Sequence, residues 1–461
     1  MHTTRRLNRP RPQQEAVIAI STRQLALNLL EDVEASPQHF DEIVDRGLER
    51  SNFDHRDRRL VYELVSGIIR RRVTLDYYIR HFLEDKSYTG DPMLMRVLRL
   101  GAYQIVCMDR IPDHAAVNET VTSARRFSST RYATGLINAV LRAIIAHKQK
   151  LPLPDPKDVL QRFAVEFSFP EWMVKRWLDR LGMSKTRRLL GFFNERPDLF
   201  IRRKVRGFSR QQFEIDNRLT IEGTATGFMS LYYRVSKEAH LRFLDALKEG
   251  DCMVQNPSSG WVVALLEVQN GDRILDLCSA PGGKTTLMAE LCGSTGRICA
   301  ADISFVRLLK VRDNARLLDI RTIFPLVMDG FRSPIAGTFD KVLLDAPCSG
   351  SGVMHRHPEA RWIKSADDLT RITAYQKRLL HGAAALVAPG GLLVYSTCSI
   401  EPEENELQIE EFLRDHPAFS VESTPFEIPA TFVDAKNYLC ILPYEHNLDG
   451  MFAARLRKKP A

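Results

Sequence analysis

The sequence lacks the cysteine groupings that metal sites and disulfide frameworks need. None of its eight cysteines stands in a C-x-x-C pair, and none is grouped with histidines. Structural zinc sites and small disulfide-rich folds are built from such groupings, so we expect neither in this protein. We therefore expect no metal site and a reducing compartment, the cytoplasm.

Long apolar runs are also missing. No stretch approaches the ~18 apolar residues that a membrane-spanning helix requires. The apolar stretch from Ala16 to Ile20 is too short for the core of a signal peptide, although Arg5, Arg6 and Arg9 precede it. The sequence therefore predicts a soluble protein without a membrane partner.

The net positive charge is confined to the first 250 residues, and the rest of the chain has a net negative charge. Residues 1–150 carry a formal charge of +6, residues 151–250 another +6, and the remainder −4. This split fits a polyanion-binding front joined to an acidic-walled pocket for a cationic or hydroxyl-rich small molecule. The alternative is a basic surface that only meets solvent.

The chain is long enough for several domains, since single cores stop growing near ~250 to 300 residues and this chain has 461. Residues 1–20 form a basic N-terminal arm. Residues 21–147 repeat apolar side chains at helical spacing, as in Leu60, Val61, Leu64 and Val65, and predict an all-α domain of five to seven helices.

Residues 148–250 are predicted to be a linker and a small α+β subdomain. The linker is the proline-rich segment 151–156, which excludes a helix. Basic residues and aromatic side chains then cluster, namely Arg202, Arg203, Lys204, Arg206 and Arg210 with Phe200, Phe208, Tyr232 and Tyr233. These aromatic rings either stack on unpaired RNA bases or belong to the core of the subdomain.

Residues 251–461 alternate apolar strand candidates with helical stretches. The predicted strands cover residues 273–278, 297–302, 323–329, 341–345 and 392–398. This pattern is typical of a doubly wound, mostly parallel α/β sheet, which binds ligands at the carboxyl ends of its strands.

A glycine-bearing loop follows the first of these strands. Its residues are Cys278, Ser279, Ala280, Pro281, Gly282, Gly283 and Lys284. A P-loop needs glycine six residues before the lysine, where Cys278 stands, and the dinucleotide pattern G-x-G-x-x-G is absent. The loop is therefore predicted to be the first loop of another nucleoside-binding α/β domain.

Three acidic residues end the next predicted strands, Asp302, Asp329 and Asp345. Each one alone is equally well explained as a helix cap or turn residue. Together they repel phosphates and suit a ligand that bears ribose hydroxyls, an amino group and a sulfonium charge. The sequence therefore predicts S-adenosyl-L-methionine as the cofactor.

Two cysteines, Cys348 and Cys398, stand at the ends of strand-like runs near this pocket. They are either buried core residues or one reaction centre with two thiols. A thiolate that adds to C6 of cytosine activates C5 to take a methyl group, and a carboxyl group at Asp345 is placed to assist at N3.

The chain resembles the RNA cytosine-C5 methyltransferases in its catalytic motifs. These motifs are residues 275–284, residues 345–352 with His357, Pro358 and Trp362, and residues 395–399 followed by residues 402–406. The helical region is similar to NusB-type RNA-binding domains in Arg58-Arg59-Leu60 with Gly67, residues 98–103, Ile111-Pro112 with Asn118-Glu119, and residues 135–142. This combination resembles the bacterial Sun/Fmu (RsmB) family.

The resemblance implies a multidomain fold with a Rossmann-like catalytic domain and a mostly parallel seven-stranded sheet. It implies that Cys398 is the nucleophile, that Cys348 assists product release, and that residues 278–284, Asp302, Asp329 and Asp345 contact the cofactor. The implied substrate is cytosine 967 of 16S rRNA, free or in an early assembly intermediate. The chain is expected to be a monomer without an obligate protein partner.

Two alternatives remain: the same chemistry on tRNA or 23S rRNA, and a non-catalytic NusB-like RNA adaptor. The sequence also departs from the family pattern. Asn256 stands where aspartate is usual, Gly260 where glutamine is common and His355 where arginine is frequent, and the run 201–206 is unusually basic.

Overall fold

A computed structural model describes residues 20–36, 40–84, 90–127, 130, 133–205, 213, 227–235, 242–363 and 365–460. The chain divides into two compact units, residues 1–158 and residues 159–461. Residues 1–19 of the predicted basic arm lie outside the described residues. Arg206, Phe208 and Arg210 of the predicted basic and aromatic cluster also lie outside them. The predicted division of the second unit near residue 250 stays a prediction.

The first unit is helical, as the apolar periodicity predicted. Its helices in the described residues are Thr22–Ala35, Phe40–Glu49, His55–Arg70, Arg72–Phe82, Pro92–Cys107, Asp113–Ala124 and Thr134–Ala146. Side-chain caps define several starts, since Ser21 accepts from the amide of Gln24 and Asp54 from that of Asp57. The predicted count of five to seven helices is met at its upper end.

Close helix packing explains two of the glycines in this unit. A Cβ atom at Gly67 would lie 2.0 Å from the Tyr103 hydroxyl, and one at Gly101 would lie 2.5 Å from Leu141 Cδ1. Real Cβ atoms never approach so closely, so any larger residue would push these helices apart. The Tyr103 hydroxyl donates to Glu63 at 2.7 Å.

Two arginines of helix Pro92–Cys107 are buried in the helical unit. Arg96 pairs with Glu31 and Glu34, and Arg99 pairs with Glu34 and Asp76 at N–O distances of 2.6 to 3.0 Å. Buried charges of this kind are tolerated only when they are paired. Part of the basic character of the first 150 residues is therefore structural and not available to a polyanion.

The second unit contains eleven strands in its described residues. They are β1 Phe200–Arg203, β2 Tyr232–Arg234, β3 Cys252–Val254, β4 Arg273–Leu277, β5 Arg297–Asp302, β6 Ile323–Val327, β7 Phe339–Asp345, β8 Val387–Thr397, β9 Phe419–Val421, β10 Leu439–Ile441 and β11 Met451–Lys458. Its helices are Val159–Phe167, Glu171–Phe192, Arg242–Glu249, Pro257–Ala264, Gly283–Cys292, Phe305–Leu317, Ala360–Ile363, Ala366–Ala385, Glu406–Asp415 and Pro443–His446.

The sequence predicts two helices over residues 172–181 and 185–194, where the structure has one long helix, Glu171–Phe192. Gly182 interrupts it with φ 73° and ψ 170°, values that leave the helical region. Because glycine adopts this conformation without a steric penalty, the chain kinks there. The prediction of two helical segments around residue 182 therefore describes the backbone well.

The larger sheet has the order β10-β11-β8-β7-β4-β5-β6, and the short strand β9 pairs with β11 as an eighth member. Strands β4 to β8 pair in parallel, whereas β11 runs antiparallel to β8 and β10 antiparallel to β11. The predicted mostly parallel sheet of seven strands is thus confirmed along its continuous path. Its core includes Leu275, Val342, Leu344 and Tyr395.

The smaller sheet has the order β2-β1-β3 and is antiparallel throughout. It contains part of the basic and aromatic cluster, in which the aromatic rings were open to two interpretations. Tyr232 and Tyr233 are buried, as are Arg202 and Arg203. The core interpretation is therefore correct for the two tyrosines, and their stacking on RNA bases is wrong.

No helix among the described residues is long and apolar enough to cross a membrane.

Candidate active site

The candidate site lies where the order of the larger sheet reverses. Strand β4 is flanked by β5 on one side and by β7 on the other, and all three run parallel. In open α/β sheets the loops at such a reversal diverge and leave a crevice at the carboxyl ends of the strands. The glycine-bearing loop leaves β4 at this end, and Asp345 ends the neighbouring strand β7.

The loop itself turns sharply between β4 and helix Gly283–Cys292. Cys278 has φ 59° and Gly282 has φ 104°, and a Cβ atom at Gly282 would lie 3.1 Å from Val311 Cα. The amide of Ser279 donates to the carbonyl of Ala301 at 2.9 Å. Glycine at position 282 is thus required both by its backbone conformation and by the close approach of Val311 on helix Phe305–Leu317.

Two buried polar atoms beside the loop have no partner among the described residues, Ser279 Oγ and Gln255 Nε2. A Cβ atom at Gly283 would lie 3.2 Å from this Gln255 nitrogen. Buried polar atoms normally have hydrogen-bond partners, so unpaired ones in a glycine-lined cradle fit a polar ligand. The residues present therefore fit the cofactor that the sequence predicted.

Asp302 ends β5 and is almost fully buried. One of its oxygens accepts from the amide of Ser304 at 2.9 Å, and the other lies 3.3 Å from an Arg307 nitrogen and 3.4 Å from the amide of Ala280. The first bond is the turn role that was considered as an alternative. The second oxygen faces the glycine-bearing loop, where a ribose hydroxyl would need an acceptor.

Asp329 lies two residues beyond the end of β6 and therefore does not end the strand itself. Its carboxylate accepts from the amide of Phe331 at 3.0 Å, a turn bond like that of Asp302. The ring of Phe331 packs edge-on against Tyr375 at 4.8 Å between centroids. The turn role and a role toward a ligand are compatible, because one carboxylate oxygen suffices for the turn.

Asp345 ends β7 and uses both of its oxygens. Lys284 Nζ donates to one at 2.6 Å, and Ser396 Oγ donates to the other at 2.7 Å. The side chain of Lys284 is 13% exposed and that of Asp345 is 32% exposed. Lys284 is therefore a paired residue with little exposure to solvent.

The two cysteines lie together. Their sulfur atoms are 3.3 Å apart, which is hydrogen-bonding distance for two thiols. Cys348 belongs to the turn after β7 and Cys398 directly follows β8, and these two strands are parallel neighbours. The two thiols therefore lie close enough to act at one centre, and both cysteines are partly exposed.

The surroundings make the two thiols unequal. The hydrogen bond shared with Cys348 lowers the pKa of Cys398 overall, although burial and the charge of Asp345 oppose it. The charge of Lys284 lowers this pKa further, and the charge of Glu404 opposes it. The same hydrogen bond and burial raise the pKa of Cys348 well above the ordinary range. Cys398 is therefore the thiol that ionises first, and the thiolate is the reactive form.

The remaining thiol near the loop behaves differently. Burial, and then the charge of Asp302, raises the pKa of Cys278 to about 12. Cys278 therefore stays a neutral thiol at neutral pH. Lys284 has the opposite behaviour, since burial disfavours its charge but the pKa is raised overall by the carboxylate of Asp345.

Four residues of the site were missed as functional candidates from sequence. Ser396 holds Asp345, Asp276 accepts from Thr285 Oγ1 at 2.6 Å, Tyr375 interacts electrostatically with Cys278 and Asp329, and Glu404 is buried beside both cysteine turns. Asp276, Ser396 and Glu404 lie within the catalytic sequence motifs named above. Their hydrogen-bond partners, however, are evident only from the tertiary structure.

The departures from the family pattern have local partners. Asn256 caps helix Pro257–Ala264 by accepting from Ser258, as an aspartate would. A Cβ atom at Gly260 would lie 2.3 Å from the Tyr232 hydroxyl, so glutamine there requires a different neighbour. His355 Nε2 lies 3.0 Å from Asp449.

Sequence profiles of two known families match the chain. The family described as 16S rRNA methyltransferase RsmB/F matches residues 263–457, and the NusB family matches residues 20–146. These ranges correspond to most of the larger sheet and to the helical unit.

Curated relatives match over nearly the whole chain. The probable ribosomal RNA small subunit methyltransferase B of Synechocystis sp. is 34% identical over 452 residues, which are 95% of this chain and 100% of that protein. The protein with the same description from Bacillus subtilis is 30% identical over 95% of this chain and 99% of its own length. Ribosomal RNA small subunit methyltransferase B of Pasteurella multocida is 32% identical over 87% and 88%.

Solved structures show the same fold. The crystal structure of PH0851 is similar with a TM-score of 0.75 and 26% identity, covering 96% of this chain and all of that one. A methyltransferase homolog from Pyrococcus horikoshii has a TM-score of 0.56 and 25% identity, covering 66% of this chain and all of that one.

Proposed function

The chain belongs to the RsmB/F family of 16S rRNA methyltransferases, and on that premise we propose that it methylates C5 of one cytosine in 16S rRNA through a covalent bond from Cys398 to C6. The observation that carries the proposal is the 3.3 Å contact between Cys348 and Cys398 at the edge of the sheet that also presents the glycine-bearing loop. The finer expectation is cytosine 967.

S-adenosyl-L-methionine supplies the methyl group when it is bound. The residues proposed to hold it are the loop from Cys278 to Lys284 with Asp302, Asp329 and Asp345. The amides at the start of helix Gly283–Cys292 and the unpaired Ser279 Oγ offer hydrogen-bond donors, and the carboxylates offer acceptors for hydroxyl and amino groups.

The roles of the cysteines follow from their ionisation. Cys398, the thiol with the lowered pKa, adds to C6 of cytosine and makes C5 electron-rich. After methylation the C5 proton passes to solvent, its electron pair re-forms the double bond between C5 and C6, and the bond between sulfur and C6 breaks, so that Cys398 regains its thiolate. Cys348, whose thiol lies 3.3 Å from that sulfur, assists this release.

Asp345 and Lys284 act on the base as a pair. Asp345 was expected to assist at cytosine N3, and its carboxylate is bonded to the ammonium group of Lys284 at 2.6 Å. Lys284 can therefore supply the positive charge that a developing negative charge on the pyrimidine ring requires. The same ammonium group stabilises the thiolate of Cys398.

The proposed partner is 16S rRNA, either free or in an early assembly intermediate, and the proposed state is a monomer in the cytoplasm. Only the substrate class, ribosomal RNA, follows from the family itself.

The proposal is tested by methyl transfer. The purified chain is incubated with methyl-labelled cofactor and with unmodified 16S rRNA, 23S rRNA or tRNA, and the product is mapped by bisulfite sequencing. We expect one 5-methylcytosine in 16S rRNA, none with Cys398→Ala, and an unchanged rate with Cys107→Ala, which removes an exposed cysteine of the helical unit. Labelling of 23S rRNA or tRNA alone, or full activity of Cys398→Ala, would contradict the proposal.

The role of Cys348 has its own test. If Cys348 assists release, Cys348→Ala accumulates a protein–RNA adduct that survives SDS, whereas wild-type protein does not. Turnover at the wild-type rate without an adduct would show that Cys348 is structural.

A further inference from the structure

Glu404 lies in the short 3-10 turn Pro402–Glu404 after β8, and its side chain is fully buried. One carboxylate oxygen accepts from the amide of Ser349 at 2.7 Å and from Gln376 Nε2 at 3.1 Å. The other accepts from the hydroxyl of Ser349 at 2.5 Å and from the hydroxyl of Ser399. The carboxylate is therefore saturated by four donors.

Three of these four donors belong to the two turns that carry the reactive thiols. Ser349 directly follows Cys348, and Ser399 directly follows Cys398. The two serine hydroxyls lie 3.2 Å apart, so one carboxylate bridges both turns. A second link is the bond from the Gly352 amide to the Cys398 carbonyl at 2.9 Å.

We propose that Glu404 is a positioning residue for the cysteine pair: its carboxylate fixes the two turns so that the sulfur atoms of Cys348 and Cys398 stay within hydrogen-bonding distance. This inference rests on the proposed function for its catalytic meaning, but the geometry that it explains is independent of any RNA.

The charge of Glu404 is part of the inference. No Lys or Arg among the described residues forms an ion pair with this buried carboxylate, and a buried charge without a counter-ion is costly. Glutamine has nearly the same shape and avoids that cost, so shape alone does not explain a glutamate here. The carboxylate charge acts on both thiols, since it contributes to the raised pKa of Cys348 and opposes the lowering of the pKa of Cys398.

The position of Glu404 also separates it from the cofactor loop. None of its hydrogen bonds reaches residues 278–284, and its partners lie on the turns after β7 and β8 and on helix Ala366–Ala385. Its loss should therefore disturb the thiols and leave cofactor binding intact. This difference separates positioning of the cysteine pair from general support of the fold.

The test compares Glu404→Gln and Glu404→Ala with Glu403→Gln. Glu403 is the neighbouring acid, pairs with Arg176 and is partly exposed, so it serves as the matched control. Each protein is treated with iodoacetamide at several pH values, and peptide mass spectrometry gives the alkylation rates of Cys398 and Cys348 separately. Affinity for labelled S-adenosylmethionine and the single-turnover methylation rate are measured in parallel.

We expect wild-type protein and Glu403→Gln to alkylate Cys398 faster than Cys348 at pH 7. In Glu404→Ala the preference should fall about tenfold and the methylation rate about 100-fold, since a misplacement of about 1 Å has that effect on catalysis. Glu404→Gln, which keeps the volume but not the charge, should show an intermediate preference. Cofactor affinity should stay within about twofold throughout.

An unchanged preference in both Glu404 variants overturns the inference, as does a loss of cofactor affinity in Glu404→Gln, which would make the residue a general support of the fold. The alkylation preference needs no RNA. A changed preference in a protein that methylates no RNA would therefore contradict the proposed function and leave the role of Glu404 standing.

Discussion

Two ion pairs at opposite ends of helix Gly283–Cys292 show how the same chemical groups serve different purposes. Near its beginning, Lys284 pairs with Asp345 at the edge of the crevice, with exposed side-chain fractions of 13% and 32%. Near its end, Glu290 pairs with Arg202 of β1, with fractions of 4% and 0%. The first pair retains access to a ligand, whereas the second is sealed between the helix and the smaller sheet.

Both residues of the buried pair also form hydrogen bonds with other groups. Glu290 accepts from the amide of Val205 at 2.9 Å, and Arg202 donates to Thr286 Oγ1 at 3.2 Å. Such a pair adds little net stability compared with apolar residues, but removing one partner leaves an uncompensated charge. A basic residue in a basic run is thus no sign of RNA binding unless its side chain reaches solvent.

The largest expected effect comes from breaking the buried pair. Arg202→Met leaves Glu290 buried without its counter-ion and should lower the free energy of unfolding by about 3 to 5 kcal/mol. Denaturant unfolding measures this loss. At a temperature where the variant is folded, its affinity for a 16S rRNA fragment should equal that of wild type, and a selective loss of RNA affinity would return Arg202 to the RNA-binding surface.

Breaking the pair of Lys284 with Asp345 at the crevice should lower the methylation rate more than the stability of the fold. Lys284→Met removes the positive charge beside Cys398 and should lower the single-turnover methylation rate by about 100- to 1,000-fold, the usual effect of losing one group that stabilises developing charge. The rate of Cys398 alkylation at pH 7 should fall as well, because its pKa rises when Lys284 is removed. A wild-type rate in both assays would exclude Lys284 from the site.

Removing both charges of the buried pair tests whether the charge pair itself accounts for the loss of stability. The double variant Arg202→Met with Glu290→Gln removes both charges and keeps an acceptor for the Val205 amide. Its free energy of unfolding should lie within about 1 to 2 kcal/mol of wild type, since replacing a whole buried pair is often nearly neutral. If the double variant is as unstable as Arg202→Met alone, contacts other than the charge pair hold this region.

The last prediction concerns the pH dependence of stability near the site. Burial raises the pKa of Asp276 to about 7, compared with about 4 in an unfolded chain. The folded state therefore binds the proton more tightly, so this residue costs stability progressively as pH rises from about 4 to about 7, and not further above that. Relative to Asp276→Asn, wild-type protein should lose unfolding free energy across this window in denaturant titrations. A constant difference would contradict the raised pKa.

Much of the fold was predictable because local patterns determine it. The helical spacing of residues such as Val61, Leu64 and Val65 predicted buried faces that the structure shows. The alternation of apolar strands and helices after residue 270 predicted the parallel sheet, since strands of this kind must be covered on both faces. The smaller sheet was harder, because its short strands are distant in sequence and pair only after the chain returns.

The sequence by itself determined the reactive groups: two cysteines, three acidic residues at predicted strand ends and a glycine-bearing loop. Only the tertiary structure decided which groups meet and with what charge. The 3.3 Å contact between Cys348 and Cys398, the pair of Lys284 with Asp345 and the carboxylate of Glu404 across both cysteine turns all join residues on different strands and helices. The pKa of a thiol depends on burial and on neighbouring charges in space, so its reactivity is fixed only when the strands are paired.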